Sequence, residues 1–394
     1  MSTLPTRSSH LLPLQGVVLG VILVSNWVQT GWLSGTNPQV LANYGYRELW
    51  LDHVEGPTGA LELFRQALVL DSAFSYRWSD LGEALAGSGQ MESAEYCFRR
   101  SQELAPRSPQ IAVRAMNFYL RRAEAGPALQ TAATVLALTS DYDEIVFSSL
   151  SRFRADQEYI LDVGIGSNRR AADRWLLYLI GPGRTSGADS RPFETWKWIE
   201  SKGHATREEA IAWSDWLAAN GRERDAHLVW QRYVSSDAGY GIGNLIDNAG
   251  FEREPEGRGF DWRIAAIAGV KAGIDQGVAH SGRASLRIRF DGSENVDFHH
   301  VVQSVWLEPG HYRLSAWMRT EGLTTDQGVA VVVGGVSTAA LSGTQDWTKV
   351  GAELTVHGAA RIGEIMLVRQ RSWKFDNKIG GTAWIDDVEL RRVD

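Results

Sequence analysis

A chain of 394 residues, with 44% hydrophobic and 22% charged residues, has the composition of folded protein and is long enough for two or three domains. The net charge of −7 argues against the basic surface that nucleic-acid-binding proteins turn toward phosphates, so we expect no nucleic-acid partner. The single cysteine, Cys97, excludes an intrachain disulfide framework and a cysteine-rich zinc site.

The N-terminus carries the only long apolar stretch, residues 11–33, after a short segment of residues 1–10. A helix of about 20 apolar residues spans the hydrocarbon core of a bilayer. Arg7 precedes the stretch and the next cation is Arg47, which predicts a cytoplasmic N-terminus. We therefore expect a single-pass anchor in a bacterial inner membrane, with the bulk of the chain in the periplasm. A cleaved signal peptide and a buried helix are the alternatives.

Helical periodicity begins near Val40, and its pattern repeats every 34 residues. The recurring positions are occupied by Ala60, Ala94 and Ala128, and by Phe64, Phe98 and Ala132. The middle copy also contains Trp78, Gly82 and Pro106, and the whole pattern resembles the tetratricopeptide repeat. The resemblance implies helical hairpins that stack into a solenoid over residues 40–238, with a surface that binds a protein partner. A structural spacer is the alternative.

The later part of this region keeps helical patterning but loses the 34-residue register. A glycine- and proline-containing segment around Gly181 predicts a long loop. A capping box, in which Thr206 is followed three residues later by Glu209, predicts the start of one further helical pair.

At the glycine-rich segment of residues 238–243 the hydrophobic period changes from 3.6 to 2, which predicts a domain boundary. Short alternating segments follow, such as Leu286, Ile288 and Phe290 between Arg287 and Arg289. The predicted fold class is therefore an N-terminal transmembrane helix, an α-helical solenoid and, over residues 243–394, an antiparallel β-sandwich of the jelly-roll type.

Several motifs in this last region have a familiar order. They are the sequences that begin at Asn244 (NLIDNAGFE), His280 (HSGRASL), Pro309 (PGHYRLSAW), Trp347 (WTKV) and Trp384 (WIDDVEL). In order and spacing they resemble the family 4/9 carbohydrate-binding modules, which have a galactose-binding-like jelly roll. The resemblance implies a polysaccharide ligand.

The resemblance also implies a structural calcium ion between the first and last strands. Its ligands would be Glu252, Asp387 and the carbonyls of Gly250 and Arg283, because calcium prefers hard oxygen ligands. His280 stands where relatives often supply a carboxylate. The alternative is that Glu252 and Asp387 bond to backbone at the strand ends.

Sugar binding needs aromatic faces with polar neighbours. If Leu314 and Ala316 face the core, Trp317 points to the opposite face of its sheet. The same alternation places Phe298, His300 and Trp306 on one side, and Trp347 and Trp384 are candidates for the core. We expect a cleft for an acidic polysaccharide formed by Trp262, His300, Trp317, Arg319, Arg371 and Trp373.

No catalytic signature is present in the sequence: the metalloprotease, α/β-hydrolase and phosphate-loop motifs are all missing. We therefore expect a non-enzymatic, membrane-anchored scaffold in exopolysaccharide or cell-envelope assembly. The alternatives are a protein–protein adaptor without a sugar ligand, and an accessory subunit of a membrane glycosyltransferase or O-antigen-type polymer ligase.

Overall fold

The computed structural model describes residues 37–52, 56–166 and 168–393. The chain forms two compact units, which meet in the sequence between Ala171 and Ala172. The predicted anchor at residues 11–33 lies outside the described residues. Among the helices that are described, none is both long enough and apolar enough to cross a bilayer.

The first unit consists of consecutive helices. They are α1 (Pro38–Arg47), α2 (Gly56–Leu70), α3 (Ser75–Gly87), α4 (Met91–Leu104), α5 (Pro109–Arg121), α6 (Ala125–Leu138), α7 (Asp143–Arg152) and α8 (Gln157–Tyr159). Segments of π-helix follow α1 at Glu48–Asp52 and α8 at Ile160–Ile165. Helices α1 with α2, α3 with α4, and α5 with α6 pack together in pairs, so the predicted helical hairpins are present.

The repeated small and aromatic residues form the core of these pairs. Ala60, Ala94 and Ala128 are fully buried, as are Phe64 and Phe98. Small residues at these positions let neighbouring helices approach closely enough for the phenyl rings to fill the space beside them. The predicted role of the 34-residue pattern in packing is therefore confirmed.

Helix α9 (Arg169–Leu179) spans the division between the units, and α10 (Arg191–Ser201), α11 (Arg207–Ala219) and α12 (Glu223–Val229) belong to the second unit. The predicted loop before α10 and the capping box of Thr206 and Glu209 are both present. A π-helical segment, Trp230–Val234, continues α12.

The change from helix to strand lies between Val234 and Arg263, an interval that contains the glycine-rich segment of residues 238–243. The division into compact units comes earlier, because the last helices pack on the sandwich. Trp230 Nε1 donates a 2.8 Å hydrogen bond to Asp247 Oδ2, and the rings of His227 and Phe260 lie 5.4 Å apart.

The strands of the sandwich are β1 (Arg263–Ile264), β2 (Val270–Asp275), β3 (Ser285–Asp291), β4 (Phe298–Leu307), β5 (Gly310–Leu323), β6 (Ala330–Val333), β7 (Val336–Ser337), β8 (Gly343–Val356), β9 (Arg361–Arg369) and β10 (Gly380–Arg392). They form two antiparallel five-stranded sheets, with strand orders β1-β4-β9-β6-β7 and β2-β3-β10-β5-β8. One apolar core between the sheets joins side chains from both. The predicted β-sandwich is thus confirmed.

One predicted strand face is wrong. The pairing of β4 with β9 is irregular between Phe298 and Val301, so the simple alternation expected along β4 is broken there. Phe298 consequently lies in the core at 1% exposure, whereas His300 and Trp306 are half-buried. The same irregularity brings the rings of His299 and His300 to 4.6 Å, although neighbouring residues of a regular strand point to opposite faces.

Candidate ligand-binding face of the second sheet

The outer face of the second sheet is built by strict alternation in three adjacent strands. On β5, Leu314, Ala316 and Met318 are fully buried in the core, and Trp317 and Arg319 lie on the outer face, as predicted for Trp317. On β3 and β10, the interleaved outer residues are Arg287, Arg289, Thr382 and Trp384. The alternation within each strand therefore determines which polar and aromatic side chains point to this face, and the strand order determines which of them meet.

The middle of the face is a row that crosses four strands. Trp384 pairs with Arg287 on one side and with Arg319 on the other. The Arg319 guanidinium carbon lies 5.5 Å from the Trp384 ring centroid, in cation–π geometry. Asp275 accepts hydrogen bonds from Trp384 Nε1 at 2.9 Å and from Arg287 Nη1 at 3.1 Å. The bond from Trp384 and the nearby Arg287 charge hold the pKa of Asp275 below its usual value.

One row along, toward the start of β10, the face opens into a depression. Thr382 pairs with Arg289 and with Glu321, and Lys271 pairs with Arg289 from the edge strand. Arg289, Glu321 and Thr382 of this row, with Arg287 and Trp384 of the middle row, line an open depression of about 650 Å³. Arg289 and Lys271 are exposed and make no ion pair in the described part of the chain. They are therefore available to a ligand.

At the opposite end of the face, an aromatic cluster surrounds His280. Its ring stacks on Trp317 at a centroid distance of 4.0 Å and meets the edge of Trp347 at 5.5 Å. His280 Nδ1 lies 2.6 Å from Asp387 Oδ2, which fixes the orientation of the imidazole. Trp317 and Trp347 are half-buried, so part of each indole faces solvent.

We call this surface the cationic face. Its cations are Lys271, Arg287, Arg289, Arg319 and Lys349. Its carboxylates are Asp275, Asp291 and Glu321, with Asp387 and Glu389 at the end that holds the aromatic cluster. Guanidinium groups bind carboxylates with two parallel hydrogen bonds, and indole faces pack on sugar rings. The arrangement therefore suits an extended acidic molecule with apolar C–H faces.

The structure does not gather the predicted glycan-binding residues into one cleft. Trp317 and Arg319 lie on the cationic face, but His300 lies on the outside of the first sheet. The prediction for Trp262 is wrong, because its side chain is fully buried. Trp262 Nε1 donates a 3.2 Å hydrogen bond to the Asn248 carbonyl, and the ring packs 5.1 Å from Phe251.

Arg371 and Trp373 lie in neither sheet. Both are exposed residues of the loop between β9 and β10, and 97% of the Trp373 surface is accessible. Trp384, a candidate for the core, is only 7% exposed but lies on the outer face, where Arg319 covers it. The sequence showed the alternation that places Arg287, Arg289 and Trp384 here, but not the strand order that makes them neighbours.

The residues predicted to bind calcium do lie near one another, at the ends of the domain. Glu252 Oε1 accepts hydrogen bonds from the backbone N–H groups of Arg283 at 2.7 Å and Ala284 at 3.2 Å. A side chain on Gly250 would point between the carboxylates of Asp386, at 3.5 Å, and Asp387, at 3.9 Å. Both Asp387 oxygens accept hydrogen bonds, from His280 and Ser281.

Glu252 Oε1 and both Asp387 oxygens thus accept hydrogen bonds from the chain itself, and a calcium ion would have to compete with these donors. The described residues contain no group of three or more His, Cys, Asp or Glu side chains arranged to hold a metal ion. The geometry favours the alternative in which Glu252 and Asp387 join strand ends through hydrogen bonds. The calcium ion itself stays a prediction.

A nucleophilic triad is one interpretation of the Ser281, His280 and Asp387 side chains, but the order of their hydrogen bonds differs from that of a triad. Ser281 Oγ donates to Asp387 Oδ1 at 2.7 Å, while His280 Nδ1 meets the other oxygen of the same carboxylate. In a triad the histidine takes the serine proton and the carboxylate orients the histidine. Here the serine and the histidine share the carboxylate as two parallel partners.

The chain matches no protein-family model, and no curated protein matches it. Among solved structures, the β-sandwich is similar to TmCBM61 in complex with β-1,4-galactotriose (22% identity, TM-score 0.27, covering 38% of this chain and 99% of that one). It is also similar to the CBM22-1 xylan-binding domain of Paenibacillus barcinonensis Xyn10C (18% identity, TM-score 0.28, 37% and 92%). A further similarity is to the Yersinia enterocolitica secretion chaperone SycD, in complex with a YopD peptide (18% identity, TM-score 0.27, 32% and 97%). The scores are too low to carry an argument about function.

Proposed function

We propose that this protein is a non-enzymatic scaffold that binds an acidic polysaccharide on the cationic face and a protein partner on its helical hairpins. One observation carries the sugar half: Arg289, an exposed cation without an ion pair in the described part of the chain, lines an open depression. Lys271 lies beside Arg289 on the edge strand, and the half-buried indoles of Trp317 and Trp347 lie farther along the same face. The motif resemblance to carbohydrate-binding modules supports the same ligand class. Cations bind the carboxylates of uronic acids, and the exposed parts of Trp317 and Trp347 pack on sugar rings.

The protein-binding half is supported by a surface of the first unit. Trp78, Leu81, Leu85 and Tyr96 line an open depression of about 440 Å³ on α3 and α4, and Tyr96 is 52% exposed. Apolar depressions rimmed by charges, here Arg65 and Glu92, accept apolar side chains of peptide partners. Anchoring through residues 11–33 in a bacterial inner membrane, with the rest in the periplasm, completes the proposal.

The test is affinity for soluble polysaccharides, measured by calorimetry with polygalacturonate and with neutral xylan. We expect the wild-type chain to prefer polygalacturonate. Because a charge-assisted hydrogen bond contributes about 1.5–3 kcal/mol, Arg289→Ala is expected to weaken that binding by about tenfold or more. Trp317→Ala is expected to weaken binding to any sugar that the face accepts.

The matched control is Arg361→Ala, which removes an exposed arginine from β9 of the other sheet. It leaves the affinity unchanged if the cationic face is the binding surface. The sugar half is refuted if neither polysaccharide binds, or if Arg289→Ala and Trp317→Ala bind like the wild type. That result, together with co-purification of the chain with a membrane glycosyltransferase or ligase, would favour the adaptor or accessory-subunit alternatives.

A further inference from the structure

The loop between β9 and β10 exposes two large aromatic side chains at its tip. Trp373 is 97% exposed and Phe375 is 105% exposed. Isolated apolar residues are normal on protein surfaces, but two almost fully exposed aromatic side chains only two residues apart are unusual. Side chains this exposed have no other side chains packed around them, whereas a sugar-binding cleft encloses its ligand between side chains.

The base of this loop is held rigidly by buried polar residues. Ser372 is 2% exposed; its N–H donates to Asn295 Oδ1 at 3.1 Å and its hydroxyl to Asp326 Oδ1 at 2.5 Å. Arg369, at 1% exposure, donates to Asn295 Oδ1 at 2.9 Å and to the Asn377 carbonyl at 3.4 Å. Both ends of the loop are thereby tied to the sandwich, so the tip presents its rings at a reduced entropic cost of docking.

The charges around the tip are mostly positive. Residues 371–378, which we call the aromatic loop, contain Arg371, Lys374 and Lys378 against the single carboxylate of Asp376. All four are exposed, and Lys374 Nζ lies 3.8 Å from Asp326 at the base. The loop is thus a cationic, aromatic projection on a chain whose net charge is −7.

We propose that the aromatic loop docks on the surface of an anionic lipid bilayer. Trp and Phe side chains prefer the boundary between headgroups and acyl chains, and flanking Lys and Arg side chains are attracted by anionic headgroups. The charge of the loop is complementary to such a surface, and its two exposed rings are of the types that prefer this boundary. The contact is separate from the cationic face and from the predicted anchor at residues 11–33.

The test places an environment-sensitive nitrobenzoxadiazole probe at the tip of the full-length chain through Phe375→Cys. Cys97, the only native cysteine, is 3% exposed, so labelling is directed to position 375. The labelled chain is mixed with vesicles of phosphatidylcholine alone, with vesicles containing about one third phosphatidylglycerol, and with soluble polygalacturonate. We expect a blue shift and a several-fold rise in emission with the anionic vesicles only, and quenching by lipids spin-labelled near the headgroup.

The matched control carries the probe at Ile242→Cys, which is 86% exposed in the same unit and lies outside the aromatic loop. An anchor at residues 11–33 would bring both probes to the vesicle, but only a docked loop moves the probe at 375 into the lipid boundary. Charge reversal by Arg371→Glu with Lys374→Glu is expected to abolish the shift. The proposal is overturned if the probe at 375 behaves like the probe at 242, or if polygalacturonate rather than anionic lipid shifts its emission.

Discussion

At the scale of single residues, glycines decide how closely the paired helices of the first unit approach. A methyl group on Gly45 would lie 2.7 Å from the Phe64 ring, and one on Gly82 would lie 3.1 Å from the Phe98 ring. Both rings are fully buried and cannot move away without disturbing their neighbours. The repeat pattern predicted the contact of Gly82 with Phe98, whereas Gly45 lies outside the 34-residue register and its contact with Phe64 was not predicted.

We expect Gly45→Ala to destabilise the chain, because overpacking of this kind costs about 1–3 kcal/mol and exceeds the gain of about 1 kcal/mol in helix propensity. The measurement is urea unfolding followed by far-UV circular dichroism. Gly126→Ala, where the nearest atom to an added methyl group is 3.4 Å away, is the control and is expected to be neutral or slightly stabilising. A Gly45→Ala chain as stable as the Gly126→Ala chain would contradict this packing account.

The same spacing concealed a polar contact. Tyr46, Asp80 and Arg114 are also 34 residues apart, and Arg114 Nη1 donates to Asp80 Oδ1 at 2.8 Å while Tyr46 Oη bonds the same oxygen. Asp80 is 1% exposed, so solvent has almost no access to this contact. Sequence comparison between repeats seeks like residues at equivalent positions. It therefore misses three different residues that are joined by hydrogen bonds and an ion pair.

At the scale of elements, the sequence predicted the start of α11 in atomic detail. Thr206 and Glu209 form a reciprocal capping box, and Glu209 is 2% exposed. Burial, together with the neighbouring Asp173 carboxylate, raises the pKa of Glu209 to about 7. The strand alternation was equally predictable, but the irregularity after Phe298 was not, since it depends on pairing with β9.

The folded state binds the Glu209 proton more tightly than the unfolded chain does. The contribution of this proton to the free energy of unfolding is therefore complete below the ordinary pKa of 4.5 and is lost as the pH rises through about 7. Glu209→Gln keeps a side-chain oxygen for the Thr206 N–H but cannot ionise. We expect its melting temperature to match the wild type at pH 5 and to exceed it at pH 8, in differential scanning calorimetry. Glu208→Gln, which removes an exposed carboxylate one residue earlier, is the control; an equal response from both variants would refute the assignment to Glu209.

At the scale of the whole molecule, the order of helices before strands was predictable from the change of hydrophobic period, whereas the division into compact units was not. That division depends on long-range contacts such as Trp230 with Asp247 and His227 with Phe260. The candidate site was half predictable for the same reason. Trp317 and Arg319 follow from alternation in one strand, but Arg287, Arg289 and Trp384 join them only through the strand order of the second sheet.

Backbone hydrogen bonds close the sandwich by joining the start of the β domain to its last strand. Leu245 donates a backbone hydrogen bond to Leu390, and Val388 donates one to Ala249. Beside them, Glu252 and Asp387 accept hydrogen bonds from the segment of residues 280–284. Hydrogen bonds within the chain thus occupy the carboxylates that a bridging calcium ion would need.

We expect the melting temperature in 5 mM calcium chloride to lie within about 1 °C of that in EDTA, because calcium binding here would cost the hydrogen bonds that Glu252 Oε1 and Asp387 already accept. Ser281→Ala and Glu252→Gln, which weaken the hydrogen bonds instead, are expected to lower it in both buffers. A bound ion would give the opposite pattern: the midpoint would rise with calcium concentration, and Glu252→Gln would abolish that rise. Since mass action requires a continuing increase beyond the dissociation constant, a titration of calcium distinguishes the two outcomes.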